Sequence, residues 1–214
     1  MKKFFPILIM FAAVAGGLWL GTVFQDRDTG NENAAPSMRA ISHNTMALVP
    51  PKPVQPFQLI DHHNNPFTLD SLKQKWTLMF FGYTHCPDVC PTTMQVLADV
   101  DKRLAKNEAE LHKDTRVVFV SVDPKRDNTE QLAKYVPYFN RSFLGVTGSA
   151  DQIEQLTKQL GIMYLQVKQG EGYLVDHSAS ILLFGPDAKL HGIFSAPHTT
   201  DRLLQDYIKL RRAS

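Results

Sequence analysis

The chain has 214 residues, 43% of them hydrophobic and 21% charged, which is enough for one domain with a packed core and some chain to spare. Twenty-three Lys and Arg against 21 Asp and Glu leave a formal charge of only +2, with no basic stripe, which argues against nucleic acid as a partner. Lys209, Arg211 and Arg212 do cluster at the C-terminus, where positive charge suits the end of a helix.

At the N-terminus, Lys2 and Lys3 precede "FFPILIMFAAVAGGLWLGTVF", residues 4–24, which carries no charge. About 20 apolar residues cross a bilayer as a helix. Lysines before the run and none close behind it set the N-terminus in the cytoplasm and the remainder outside. Ala13 and Ala15 form the small-residue step of a cleavable signal, but the apolar run continues through Leu18, Trp19, Leu20, Val23 and Phe24. Residues 1–24 are therefore expected to be a cytoplasmic stub and a retained transmembrane helix. No Arg-rich amphipathic presequence precedes the run, so the expected setting is a bacterial inner membrane with the C-terminal domain in the periplasm. Residues 25–56 read as a flexible tether: "QDRDTGNENAAPSM" is polar, and "VPPKPVQP" adds four prolines. The folded domain is expected over 57–214.

Within it, "FQLID" (57–61) and "PFTL" (66–69) suggest a hairpin turning at "HHNN". "WTLMFFGY" (76–83) and "RVVFVSVD" (116–123) are apolar enough to be buried strands. Between them a helix opens after Cys86, where Pro87 and Pro91 suit a first turn. "NTEQLAKYV" (128–136) reads as a helix and "FLGVTG" (143–148) as a short strand. "SADQIEQLTKQLG" (149–161) is a helix capped by Ser149 and stopped at Gly161. "MYLQV" and "GYLVDH" suggest a hairpin, "SILLF" (180–184) and "LHGIF" (190–194) a second one at an antiparallel edge, and "TTDRLLQDYIKLRR" (199–212) a closing helix. Alternating strands and helices imply an α/β domain with a mixed central sheet and flanking helices. A thiol motif between the first core strand and its helix is the thioredoxin-like arrangement.

The chain's two cysteines, Cys86 and Cys90, lie in "FGYTHCPDVCPTTM". A structural staple is one reading, but closing so short a loop contributes only about 2 kcal/mol, against about 4.7 kcal/mol for a 100-residue loop. At a helix N-terminus a thiolate is favoured, which makes a nucleophile or a metal ligand. Spaced by four along a helix, the two sulfurs share a face, so both a redox disulfide and a shared ion are open. Two cysteines are too few for an iron–sulfur cluster or an all-sulfur zinc site, so copper is the metal that fits. Of eight histidines, His43, His62, His63 and His112 fall in polar tether or turn segments and read as surface. His177, just before a buried strand, is the candidate third ligand, and Asp176 is placed to orient its ring.

Three motifs in order, "GYTHCPDVCPTTM", "SVDPKRD" (121–127) and "VDHSASILLF" (175–184), resemble the Sco/SenC family over about residues 52–212. The resemblance implies a membrane-anchored, thioredoxin-like protein that binds Cu(I) and Cu(II) through Cys86, Cys90 and His177. It also implies a role in building the binuclear copper centre of cytochrome c oxidase. The copper-bearing oxidase subunit and other copper carriers would then be its partners. Asp88 and Asp123 match family positions and are candidates to tune or orient the ligands. The alternative within that resemblance is a thiol-disulfide oxidoreductase using Cys86 and Cys90 on the oxidase subunit. A thiol peroxidase would need an arginine near Cys86, and Arg126 is the distant candidate.

Overall fold

The computed structural model describes residues 36–213. In chain order its elements are β1 (Ser37–Ser42), β2 (Thr45–Lys52), β3 (Gln58–Asp61), β4 (Pro66–Thr68), β5 (Trp76–Gly82), α1 (Val89–Asn107), α2 (Ala109–Lys113), β6 (Thr115–Ser121), α3 (Thr129–Phe139), β7 (Leu144–Thr147), α4 (Ala150–Leu160), β8 (Tyr164–Gln169), β9 (Gly172–His177), β10 (Ile181–Phe184), β11 (Leu190–Phe194) and α5 (Thr200–Ala213).

The continuous apolar runs lie where they must, inside a sheet covered on both faces. Every residue of β5 is buried. It pairs in parallel with β6, and β6 in parallel with β7; the other ladders are antiparallel. The strands order as β1-β2-β11-β10-β5-β6-β7-β3-β4, a mixed sheet with flanking helices, as expected. Helix α1 buries Cys90, Thr93, Met94, Leu97, Ala98 and Leu104, the three-and-four spacing of one helical face. Each fully buried leucine there contributes roughly 1.5–3 kcal/mol. Helix α4 starts in a Ser149–Gln152 capping box and stops at Gly161 in the left-handed conformation, both legible in advance.

The tether and domain-boundary expectations need correction. Residues 37–52 are not spacer: β1 and β2 form a hairpin closed at His43-Asn44, and Thr45, Ala47 and Leu48 are buried. Pro50 and Pro51 fall where the ladder of β2 with β11 is interrupted, between Ala47 and Lys52. No backbone N–H is required there, so the prolines are tolerated. The domain thus begins about twenty residues before Phe57. The same hairpin moves β10–β11 from the edge to the interior of the sheet. The expected membrane span at 4–24 lies outside the described residues. Among those described, no helix is long and apolar enough to cross a membrane.

Candidate metal centre

Strand β5 delivers the chain into the loop that carries the first cysteine. After Gly82 the backbone turns through Tyr83, Thr84 and His85, and the Cys86 N–H donates to the Tyr83 carbonyl (3.3 Å). A buried carboxylate braces this turn. Asp127, 0% exposed, accepts from the Thr84 N–H (2.8 Å), the Thr84 hydroxyl (2.6 Å) and the Ser121 hydroxyl (2.6 Å). Cys90, on the first turn of α1, points its sulfur back at the strand. A Cβ on residue 82 would stand 2.7 Å from that sulfur and 2.9 Å from the Phe119 ring, so only glycine admits the close approach.

The two sulfurs sit in unlike surroundings. Cys90 is fully buried and Cys86 half-buried, and both are free thiols. The Cys90 N–H donates to the Cys86 sulfur at 3.4 Å. The Cys86 thiol is driven down to about 3, first by the hydrogen bond from the Cys90 thiol, with burial opposing. His177 and the N–H groups of Asp88 and Cys90 add to the lowering. The Cys90 thiol is pushed up by the same bond and by burial. The pair therefore holds a thiolate on Cys86 that shares the remaining proton on Cys90.

His177, the last residue of β9, closes the group. Its Nε2 stands 3.1 Å from the Cys90 sulfur. Its Nδ1 lies 3.1 Å from the Ser178 carbonyl, which can only accept, so Nδ1 donates there and Nε2 is the ring atom turned to the sulfurs. Phe80 and Tyr83 meet the ring edge-on, each with centroids 6.0 Å away. One ligand atom from each of Cys86, Cys90 and His177 lies within 4.8 Å of the others.

The three carboxylates named from the sequence fall elsewhere. Asp176 is exposed and alternates to the opposite face of β9 from His177, so the Ser178 carbonyl orients the ring instead. Asp88 occupies the N-cap of α1 and touches Cys86 through its backbone N–H, while its carboxylate lies near the Thr92 hydroxyl (3.5 Å). Asp123 is fully buried and accepts from the Tyr173 hydroxyl (2.8 Å) and from Arg126. Sequence reasoning passed over Asp127, which stands inside the quoted "SVDPKRD"; its two bonds from Thr84 reach 43 residues back along the chain. His62 is buried rather than on the surface, and its Nδ1 accepts the Gly145 N–H at 2.8 Å.

The SCO1/SenC family model matches residues 47–211. This chain belongs to the SCO1/SenC family. A Stutzerimonas stutzeri protein with the provisional name of copper-binding protein is 35% identical over 161 residues, covering 75% of this chain and 78% of its own. Copper-bound ScoI of Arabidopsis thaliana superposes with a TM-score of 0.71 at 33% identity, over 75% of this chain and 98% of that one. BsSco, described as a member of the Sco family of cytochrome c oxidase assembly proteins with a disulfide switch, gives 0.59 at 28% identity, over 75% and 94%. Some mitochondrial relatives are longer, and the chain spans 46% to 58% of three of them. The mixed sheet with its flanking helices is the Sco-family fold.

Proposed function

We propose that this chain is a membrane-anchored copper carrier of the bacterial inner membrane. Its domain would face the periplasm, bind Cu(I) and Cu(II) through Cys86, Cys90 and His177, and serve assembly of the binuclear copper centre of cytochrome c oxidase. The observation that carries the reading is the convergence of two sulfurs and one imidazole nitrogen within 4.8 Å. The donor set fits copper: soft sulfur favours Cu(I), and imidazole suits Cu(II). The lowered Cys86 thiol supplies a ligand already deprotonated at neutral pH. Cys86, half-buried beside buried Cys90, is the sulfur a partner's thiolate reaches first, so the ion passes by stepwise ligand exchange. A Cys86–Cys90 disulfide cannot bind the ion, which couples cargo to thiol redox state. The uncharged run at 4–24 supports the anchor, and the family's described role supports the oxidase copper subunit and other copper carriers as partners.

The asymmetry of the thiols favours a second reading, reduction of the oxidase subunit's own cysteines. The Cys86 thiolate would attack a partner disulfide, forming a mixed disulfide and releasing one partner thiolate. Cys90, losing its proton, would then attack the Cys86 sulfur and release the second. The Cys86–Cys90 pair ends oxidised and the partner reduced by two electrons.

Copper counting on the reduced protein tests the carrier reading. One copper per chain is expected in the wild type and no stable binding in Cys86→Ser or Cys90→Ser, with Cu(II) weakened more than Cu(I) in His177→Ala. Wild-type stoichiometry in all three variants would overturn it. No retained copper together with a readily reversible disulfide would leave the reductase.

A further inference from the structure

The third ligand stands apart from the other two. Cys86 and Cys90 are fixed by β5 and α1, elements of the main body. His177 ends a hairpin whose strands, β8 and β9, pair only with each other among the described residues. The base of the hairpin is held by the Ser178 N–H on the Met163 carbonyl (2.8 Å). Its tip, where Tyr173 pairs with Lys168 one step from the turn, is held by a different device.

Tyr173, on β9, donates its hydroxyl to Asp123 at 2.8 Å. Asp123 follows β6, is fully buried, and is itself oriented by its N–H on the Ser121 hydroxyl (3.0 Å). The other carboxylate oxygen of Asp123 pairs with the Arg126 Nε. Arg126 returns to the hairpin, donating to the Tyr173 carbonyl (3.1 Å) and laying its guanidinium 3.8 Å from the Tyr173 ring centroid. The same guanidinium lies 5.5 Å from the Tyr83 ring, and Tyr83 stands perpendicular to the His177 ring. One carboxylate and one cation thus join the end of β5, the loop after β6 and the hairpin bearing His177.

We infer that Asp123, Arg126 and Tyr173 form a clamp that presents His177 to the cysteine pair and so sets the preference of the site between Cu(II) and Cu(I). The inference rests on the carrier reading above. None of the three contacts the ligand atoms, so they are positioning residues. The physical reason is the division of labour among ligands. Two thiolates satisfy Cu(I) on their own, whereas Cu(II) gains from the imidazole. Loosening the hairpin therefore costs Cu(II) affinity selectively.

The test uses Tyr173→Phe, which removes one hydroxyl, and Arg126→Lys, which keeps the charge but loses the planar fork. In each, Cu(II) affinity is expected to fall about tenfold, in the range found when groups supporting a ligand are removed. Cu(I) affinity should stay within about twofold, the tolerance for independent sites. The sulfur-to-Cu(II) absorption and the EPR spectrum should change with the Cu(II) affinity. In a His177→Ala background, Tyr173→Phe should have no further effect on Cu(II), since the group it positions is gone. Unchanged Cu(II) affinity and spectra, equal losses for both oxidation states, or full additivity with His177→Ala would each overturn the clamp. Amide exchange across residues 164–177 of the metal-free protein gives an independent reading, faster in Tyr173→Phe if the clamp holds the hairpin. Wild-type protein that binds no copper would overturn the carrier reading, and the clamp would then stand or fall on exchange alone.

Discussion

Two thiols four residues apart are chemically alike in an unfolded chain and unlike in this one. Cys86 is half-buried and collects the Cys90 thiol and two N–H groups at the start of α1, while Cys90 is sealed against Gly82. Only the thiolate is nucleophilic. In the reduced, metal-free protein, iodoacetamide should therefore modify Cys86 first, at a rate nearly flat from pH 5 to pH 8, because Cys86 stays ionised well above about 3. A rate rising about tenfold per pH unit over that range would mark an ordinary thiol. The residues of this site were legible to the extent that chemistry shows in residue type: Cys86, Cys90 and His177 could be singled out by spacing and motif. What orients them was not. The Ser178 carbonyl on His177 belongs to the backbone and leaves no trace in residue identity, and strand alternation takes Asp176 to the other face. Asp127 became visible only once Thr84, 43 residues away, was brought to it by the parallel pairing of β5 with β6.

At the scale of elements, the parallel core strands and the main helices follow from apolar runs and caps. The β1–β2 hairpin does not, because four prolines mask a short alternation in "TMALV". Its attachment is polar as well as apolar. The carboxylate of Asp206, buried on α5, accepts from the Ser42 hydroxyl (2.6 Å) and the Thr45 hydroxyl (2.7 Å). Asp206→Ala leaves the buried Thr45 hydroxyl without its acceptor, and the expected loss is about 1–3 kcal/mol in urea unfolding. A loss below about 0.5 kcal/mol, the size of an ordinary surface change, would mean that the hairpin is not held through Asp206. A fragment meant to retain the domain should accordingly begin at residue 36 rather than at the prolines.

Across the whole molecule, the candidate site lies at the carboxyl ends of β5 and β6, where open α/β sheets characteristically hold ligands. Titration couples that body to pH. Burial lowers both His62 and His198 below their ordinary value of 6.5. The unfolded chain then binds more protons below that value, so their contribution to stability is complete above 6.5 and lost as pH falls through the folded values. The lowered Cys86 thiol acts in the same direction. The melting temperature should therefore fall between pH 7 and pH 5. The fall should be shallower in His62→Asn, whose side-chain oxygen can still accept the Gly145 N–H without titrating. An identical slope in the variant would remove His62 from this account.

The central claim, that two sulfurs and one imidazole hold a single copper ion, is tested most directly by X-ray absorption at the copper edge. The spectra would be taken on Cu(II)-loaded wild type and His177→Ala. The geometry predicts two sulfur neighbours and one imidazole nitrogen in the wild type, with the imidazole signal lost and both sulfurs kept in the variant. A wild-type spectrum dominated by nitrogen and oxygen neighbours, or an imidazole signal that survives in His177→Ala, would contradict it.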